Sequence, residues 1–176
     1  MTRHSPIDGP TPRPRPATLP SSTTVHARWL LRLLATPADP VATIARLALG
    51  VMIVPHGMQK LFGVFGGYGF AGTMQFFTGT LGIPWVFGLL AIVAEFFGGL
   101  GLISGLLGRV AALGVGSVML VAALTSHVRN GFFMNWFGAQ MGEGLEFFIL
   151  AIALSLVVLV RGSGAWSVDR AVVRRH

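Results

Sequence analysis

Residues 84–103 read PWVFGLLAIVAEFFGGLGLI, and Glu95 is the one ionisable side chain between Pro84 and Gly108. Crossing the hydrocarbon core of a bilayer takes about 20 residues at about 1.5 Å each. The stretch therefore reads as a transmembrane helix. A carboxylate near the bilayer centre costs about 2.5–3.5 kcal/mol even on lenient insertion scales. Such a group is paired, protonated or turned toward a polar cavity, which makes Glu95 the strongest pointer to function in the chain.

The composition agrees with this class. Of 176 residues, 53% are hydrophobic and 11% charged, against roughly 25% charged in soluble domains. One all-α, polytopic membrane bundle is expected. There is no cysteine, which removes zinc-thiolate sites, cysteine-held iron–sulfur clusters and any dithiol relay within this polypeptide. Redox work would then run on a bound cofactor or a partner. The formal charge of +7 sits in the two tails and at one turn, a pattern of membrane orientation rather than a nucleic-acid face.

Working outward from residues 84–103, four spans are expected: about Val41–Phe62, Pro84–Leu107, Arg109–His127 and Gly144–Val160, with a tight turn at Gly108 and Arg109. Residues 1–24 are rich in Pro, Ser, Thr and Arg and read as a disordered cytoplasmic tail. Residues 25–39 join an interfacial segment with Trp29, Arg28 and Arg32 to a linker. The Pro37-Ala38-Asp39-Pro40 break cuts the apolar run too short for a cleaved signal peptide. Residues 40–163 form the transmembrane domain, and 164–176 a basic cytoplasmic tail. Arginines gather at the termini and at Arg109, whereas the other side has Lys60 and Arg129. Both termini are therefore expected in the cytoplasm. The loops at 63–83 and 128–143 would face outward with Phe65, Tyr68, Phe70, Phe132, Phe133 and Trp136 as an interfacial belt. Small residues at Gly101 and Gly105, and at Gly108, Ala112 and Gly116, predict close helix packing.

Span one carries Arg46, His56 and Lys60 on one stripe, with Lys60 about 40° and Arg46 about 80° from His56 around the helix. Span three ends in His127, and span four opens with Glu143 and Glu146. Rise per residue places His56 about 9 Å and Arg46 about 24 Å below the outer end of span one, and Glu95 about 16 Å below that of span two. Two polar layers are expected: an outer one of Lys60, His127 and Glu146, and a middle one pairing Glu95 with His56 or Arg46. Each residue also has a structural explanation: snorkelling for Arg46 and Lys60, an interfacial place for His127, a register-fixing ion pair for Glu95 and a helix N-terminus for Glu146. Gly67-Tyr68-Gly69-Phe70-Ala71-Gly72 fits G-x-G-x-x-G, but no strand precedes it. His56 and His127 alone do not make a haem site, and haem is not expected.

The order Arg46-Leu47-Ala48-Leu49-Gly50, His56-Gly57-Met58-Gln59-Lys60-Leu61, Ala94-Glu95-Phe96-Phe97-Gly98-Gly99-Leu100 and Gly108-Arg109-Val110-Ala111-Ala112 resembles the DoxX family of small four-helix membrane proteins. Gly144-Leu145-Glu146-Phe147-Phe148 and Gly164-Ala165-Trp166-Ser167-Val168-Asp169 fit its usual ending. The resemblance covers about residues 41–170. It implies a multi-pass protein of the plasma (inner) membrane, and it marks Arg46, His56, Lys60, Glu95 and Glu146 as interior residues without assigning catalysis. The family name comes from a subunit of a thiosulfate:quinone oxidoreductase, and other relatives are linked to membrane redox or thiol-stress complexes.

Three functions follow as expectations. The first is a quinone-linked redox component, in which His56, Lys60 and His127 contact the quinone, Glu95 and Glu146 exchange protons, and Arg46 makes an interior ion pair. With no flavin motif or cluster ligands, its electrons would come from a soluble redox partner, so any enzyme would be a quinone-dependent oxidoreductase of which this chain is one subunit. The second is a small proton-linked transporter or channel, for which a homo-oligomer would supply the pore. The third is a non-catalytic scaffold for a soluble redox enzyme. All three keep the lipid bilayer as surroundings and exclude nucleic acid as a partner.

Overall fold

The computed structural model describes residues 33–175. The expected tail at 1–24 and most of the expected interfacial segment lie outside the described residues. Those described are helical, with no strand among them. Four long helices pack together: α1 (Pro40–Phe62), then, after a short α2 (Gly69–Gln75), α3 (Trp85–Ser104), α4 (Gly108–Asn130) and α5 (Glu146–Arg161). A short α6 (Val168–Val173) follows.

Three of these, α1, α3 and α4, are long and apolar enough to cross a membrane. Helix α5 has 16 residues, about 24 Å of rise. It starts two residues later than expected because Glu146 and Leu145 are drawn into the preceding loop: their amides donate to Phe132 and Gly131 carbonyls at 2.9 and 3.1 Å. The expected outward loop at 63–83 holds α2 and a wide π turn at Phe76–Thr80. The tight turn falls at Gly105–Leu107, just before the expected position. Gly105 takes a left-handed φ of 70°, which glycine adopts without steric penalty, and Gly108 already begins α4.

Each long helix turns a stripe inward at three- and four-residue spacing. Ala45, Leu49 and Ile53 of α1, Ala112, Val115, Met119 and Ala123 of α4, and Phe148, Ala151 and Val158 of α5 form the core with Leu102 of α3. The outward faces are equally apolar, with Val51, Leu113, Leu120, Leu124, Ile149, Leu150 and Leu156 all exposed. An apolar exterior around a small-residue interior suits a lipid solvent, where close packing rather than water exclusion holds helices together. Gly116 faces Ser155 across the α4–α5 seam. Ala112 in the same run is fully buried, in keeping with the expected small-residue packing.

One end of the bundle is basic and tightly tied. Asp39 caps α1, accepting from the amides of Val41 at 2.9 Å and Ala42 at 3.3 Å, and pairs with Arg161 at 2.6 Å. Burial works against its charge, but the Ala42 amide, the Arg161 guanidinium and the Val41 amide outweigh it and hold the carboxyl below its ordinary value of 3.8. Residues 164–175, expected as part of a basic tail, fold back over this end. Asp169 is 2% exposed and accepts from the amides of Leu107 at 2.7 Å and Gly108 at 3.0 Å, capping α4. The cause is an accounting one: amides at a helix start need acceptors, and a bilayer supplies none.

Candidate functional site

Lys60 lies in the last turn of α1 and Glu95 in the middle of α3. Lys60 Nζ stands 2.5 Å from Glu95 Oε2, with the lysine side chain 27% exposed and the glutamate 2%. Two local features make this contact. At Gly57, one turn before Lys60, an added Cβ would come within 2.6 Å of the Phe96 backbone, so the α1 and α3 backbones touch there. Residues Ala94–Gly98 form a π turn inside α3, a one-residue insertion that re-aims side chains and recurs at functional sites. Glu95 sits on that turn.

A second π turn, Ala123–His127, interrupts α4 and ends on His127. The His127 ring lies 4.2 Å from Phe148, and its Nδ1 is 2.8 Å from the Glu143 carbonyl. The His56 ring lies 5.4 Å from Phe147, and Phe147 meets Phe148 edge-on. An aromatic pair of α5 thus connects the two histidines.

His56, Lys60, Glu95, His127 and Glu143 all line one open groove of about 1960 Å³ between α3 and α4. Below its polar end the groove is walled by apolar and small side chains, among them Ala94, Gly98, Gly101, Ala111 and Gly114, down to Leu107. A large apolar slot with a few converging polar groups has the general form of a small-molecule site. The donors available are an ammonium and two imidazoles, and the acceptors are the Glu95 and Glu143 carboxylates.

Four of the six residues picked from the sequence therefore meet in one place, and two do not. Arg46 is 1% exposed, and its guanidinium donates to backbone carbonyls: Leu102, Ile103 at 2.7 Å, Ser163 at 2.9 Å and Trp166 at 3.4 Å. No acidic group pairs with it directly among the described residues. The expected interior ion pair of Arg46 is replaced by a cap on the C-terminus of α3. Glu146 does not line the groove. Its Oε2 accepts from the Met134 amide at 3.2 Å and ties down the 131–145 loop.

The two expected polar layers do not form. The layering took the helix ends as level. Glu95 lies ten positions beyond Trp85, whereas Lys60 lies two before Phe62. Contact between them means that α1 stops on the order of 10 Å short of the outer end of α3, and α2 packs over the step. Lys60 therefore reaches the level of Glu95, which lower neighbours were expected to occupy. Glu143 is the groove residue that was not singled out. Its Oε2 accepts from the Asn135 amide at 2.7 Å, and nothing in its spacing marks it apart from Glu146.

The DoxX family model matches residues 41–128, which contain α1 to α3 and most of α4. Inner membrane protein YqjF of Escherichia coli (strain K12) is 28% identical over 137 residues, covering 75% of this chain and 92% of the relative. No solved structure matches the chain. The matched region carries Arg46, His56, Lys60, Glu95 and His127 together, within half of the chain, and an apolar helical bundle surrounds them. This protein is a membrane-embedded member of the DoxX family.

Proposed function

We propose that the protein binds the ring of a membrane quinone at the polar end of the α3–α4 groove and serves as the membrane component of a quinone-linked redox system. The observation that carries this reading is the buried Lys60–Glu95 pair opening on an apolar slot that His56 and His127 also line. A quinone presents two carbonyl acceptors on an apolar body, so it needs donors at one end and hydrocarbon along the rest. Lys60 and the two histidines offer the donors, and the small-residue walls offer the slot. When bound, a quinone takes up two electrons and two protons. Glu95 is placed to pass protons, with Lys60 holding its charge while it does so. The electrons belong to a soluble redox partner, because this chain has no cysteine for a cluster or dithiol.

The same reading takes α5 as the fourth span and puts both termini in the cytoplasm. Arg109, Arg161, Arg170 and Arg174 gather at one end of the bundle, as basic residues do on the cytoplasmic side. The name of the YqjF relative supports the inner membrane as the location.

The test is quinone binding to the purified protein in lipid nanodiscs, comparing wild type with Glu95→Gln and His56→Ala. Saturable binding weakened by both substitutions supports the site. A folded wild type that binds no quinone overturns it and moves the question to proton flux and partner capture.

A further inference from the structure

The basic end carries a second recess, remote from the groove. A hollow of about 500 Å³ lies beside α6, with Pro40, Ala165, Trp166, Ser167, Arg170 and Arg174 in its wall. Three of the arginines at this end are already engaged. Arg46 caps α3, Arg109 donates to the Leu159 and Ala35 carbonyls, and Arg161 holds Asp39. Arg170 and Arg174 form no ion pair among the described residues. They stand four positions apart, which puts both on one side of the helical turn.

Trp166 completes the recess. The residue is 83% exposed and its φ is 49°, a left-handed conformation that a bulky residue adopts only when its surroundings impose it. Here they do. The Trp166 carbonyl accepts from Arg46, the Ala165 carbonyl accepts from Thr43 at 2.7 Å, and Ser167 caps α6. The indole is thereby held out of the bundle beside two guanidinium groups that form no ion pair among the described residues.

We propose that this hollow seats the headgroup of an anionic glycerophospholipid. Arg170 and Arg174 hold the phosphate, and Trp166 with Pro40 and Ala165 lies along the glycerol and the first acyl carbons. Three observations select this occupant. The hollow sits at the end of α1, where a helix leaving a bilayer meets the headgroups, and there an indole and guanidinium groups both find their preferred surroundings. Its wall is part cationic and part apolar, and free phosphate would make no use of the apolar part. The remaining segment of this chain, residues 1–32, is itself basic, with five arginines against Asp8, so two arginines would repel it.

The experiment is native mass spectrometry of the full-length protein in detergent doped with equal amounts of phosphatidylglycerol and phosphatidylcholine. Wild type should retain phosphatidylglycerol preferentially. The Arg170→Gln/Arg174→Gln variant should lose that preference about thirtyfold, the combined effect of two basic side chains at an anionic surface. Arg170→Lys/Arg174→Lys should keep most of it, and Arg129→Gln, at the opposite end, should match wild type. Equal retention of both lipids by wild type overturns the proposal, as does unchanged preference in the double glutamine variant. Displacement of the lipid by millimolar inorganic phosphate would overturn the choice of a lipid over a free anion. Because both arginines lie outside the packed core, thermal midpoints of the variants should stay with wild type. A collapse of the glutamine variant with the lysine variant intact would show that the charges bind within the protein, and would also overturn the proposal.

Discussion

Replacing Lys60 by Met should destabilise the bundle more than replacing Glu95 by Gln, and the structure sets the size of the difference. Glu95 is 2% exposed and Lys60 27%. Without the ammonium, the carboxylate is left without a countercharge in a low-dielectric interior. Breaking a buried ion pair costs about 3–5 kcal/mol, so Lys60→Met should lose about 2–4 kcal/mol once the partial exposure of the pair is allowed for. Glu95→Gln is gentler because the freed ammonium can extend along its stem to the surface. A loss of about 1–2 kcal/mol is expected there. In Lys60→Met/Glu95→Gln no charge remains, and stability should return to within about 1 kcal/mol of wild type, giving a coupling energy of about 2–5 kcal/mol. The assay is reversible unfolding in mixed micelles for all four proteins. A coupling below about 0.5 kcal/mol, or a Glu95→Gln loss larger than that of Lys60→Met, would refute the pairing and the assignment of the carboxylate as the trapped charge.

Gly57→Ala places a Cβ 2.6 Å from the Phe96 backbone, which a flexible side chain cannot relieve. It should cost about 1–3 kcal/mol or more and weaken quinone binding by moving Lys60 off Glu95; wild-type melting and binding by the alanine variant would show that the helices do not touch there. The Asp39 carboxyl is held below 3.8 in the folded state, so its contribution is complete above its unfolded pKa and is lost as pH falls through the lower native value. Thermal midpoints of wild type and Asp39→Asn should therefore differ at neutral pH and converge in acid, and a constant offset across the pH range would count against the capping role.

The membrane class, the helical architecture and the presence of polar residues in the interior were all legible from hydrophobic runs broken by single charges. Which charges meet was not. Glu95 could be placed by depth along its own helix, but its partner depended on how far α1 is slid along α3, and that offset is set by α2 and the Gly57 contact rather than by any periodicity. The π turns at Ala94–Gly98 and Ala123–His127 leave no mark in composition, yet they shift the helical phase that a wheel assumes to be constant. Asp169 was hidden for a different reason. It sits in a short basic stretch that reads as a tail, and only the need of the Leu107 and Gly108 amides for acceptors pulls it into the bundle.

The two ends of the bundle hold their buried charges in different ways. At the basic end, Arg46 meets four carbonyls and Asp169 meets two amides and the Ser163 hydroxyl. These partners belong to helix ends and turns that cannot move without unfolding something, so the charges there are consumed in holding the fold. The Lys60–Glu95 pair is bound differently. Each group has the other as its side-chain hydrogen-bond partner among the described residues, and both lie in the lining of the groove. In the proposed function a ligand carbonyl would accept a hydrogen bond from the ammonium without any helix losing a cap. The proposed site therefore lies at the end where the buried charges are least committed to helix ends and turns.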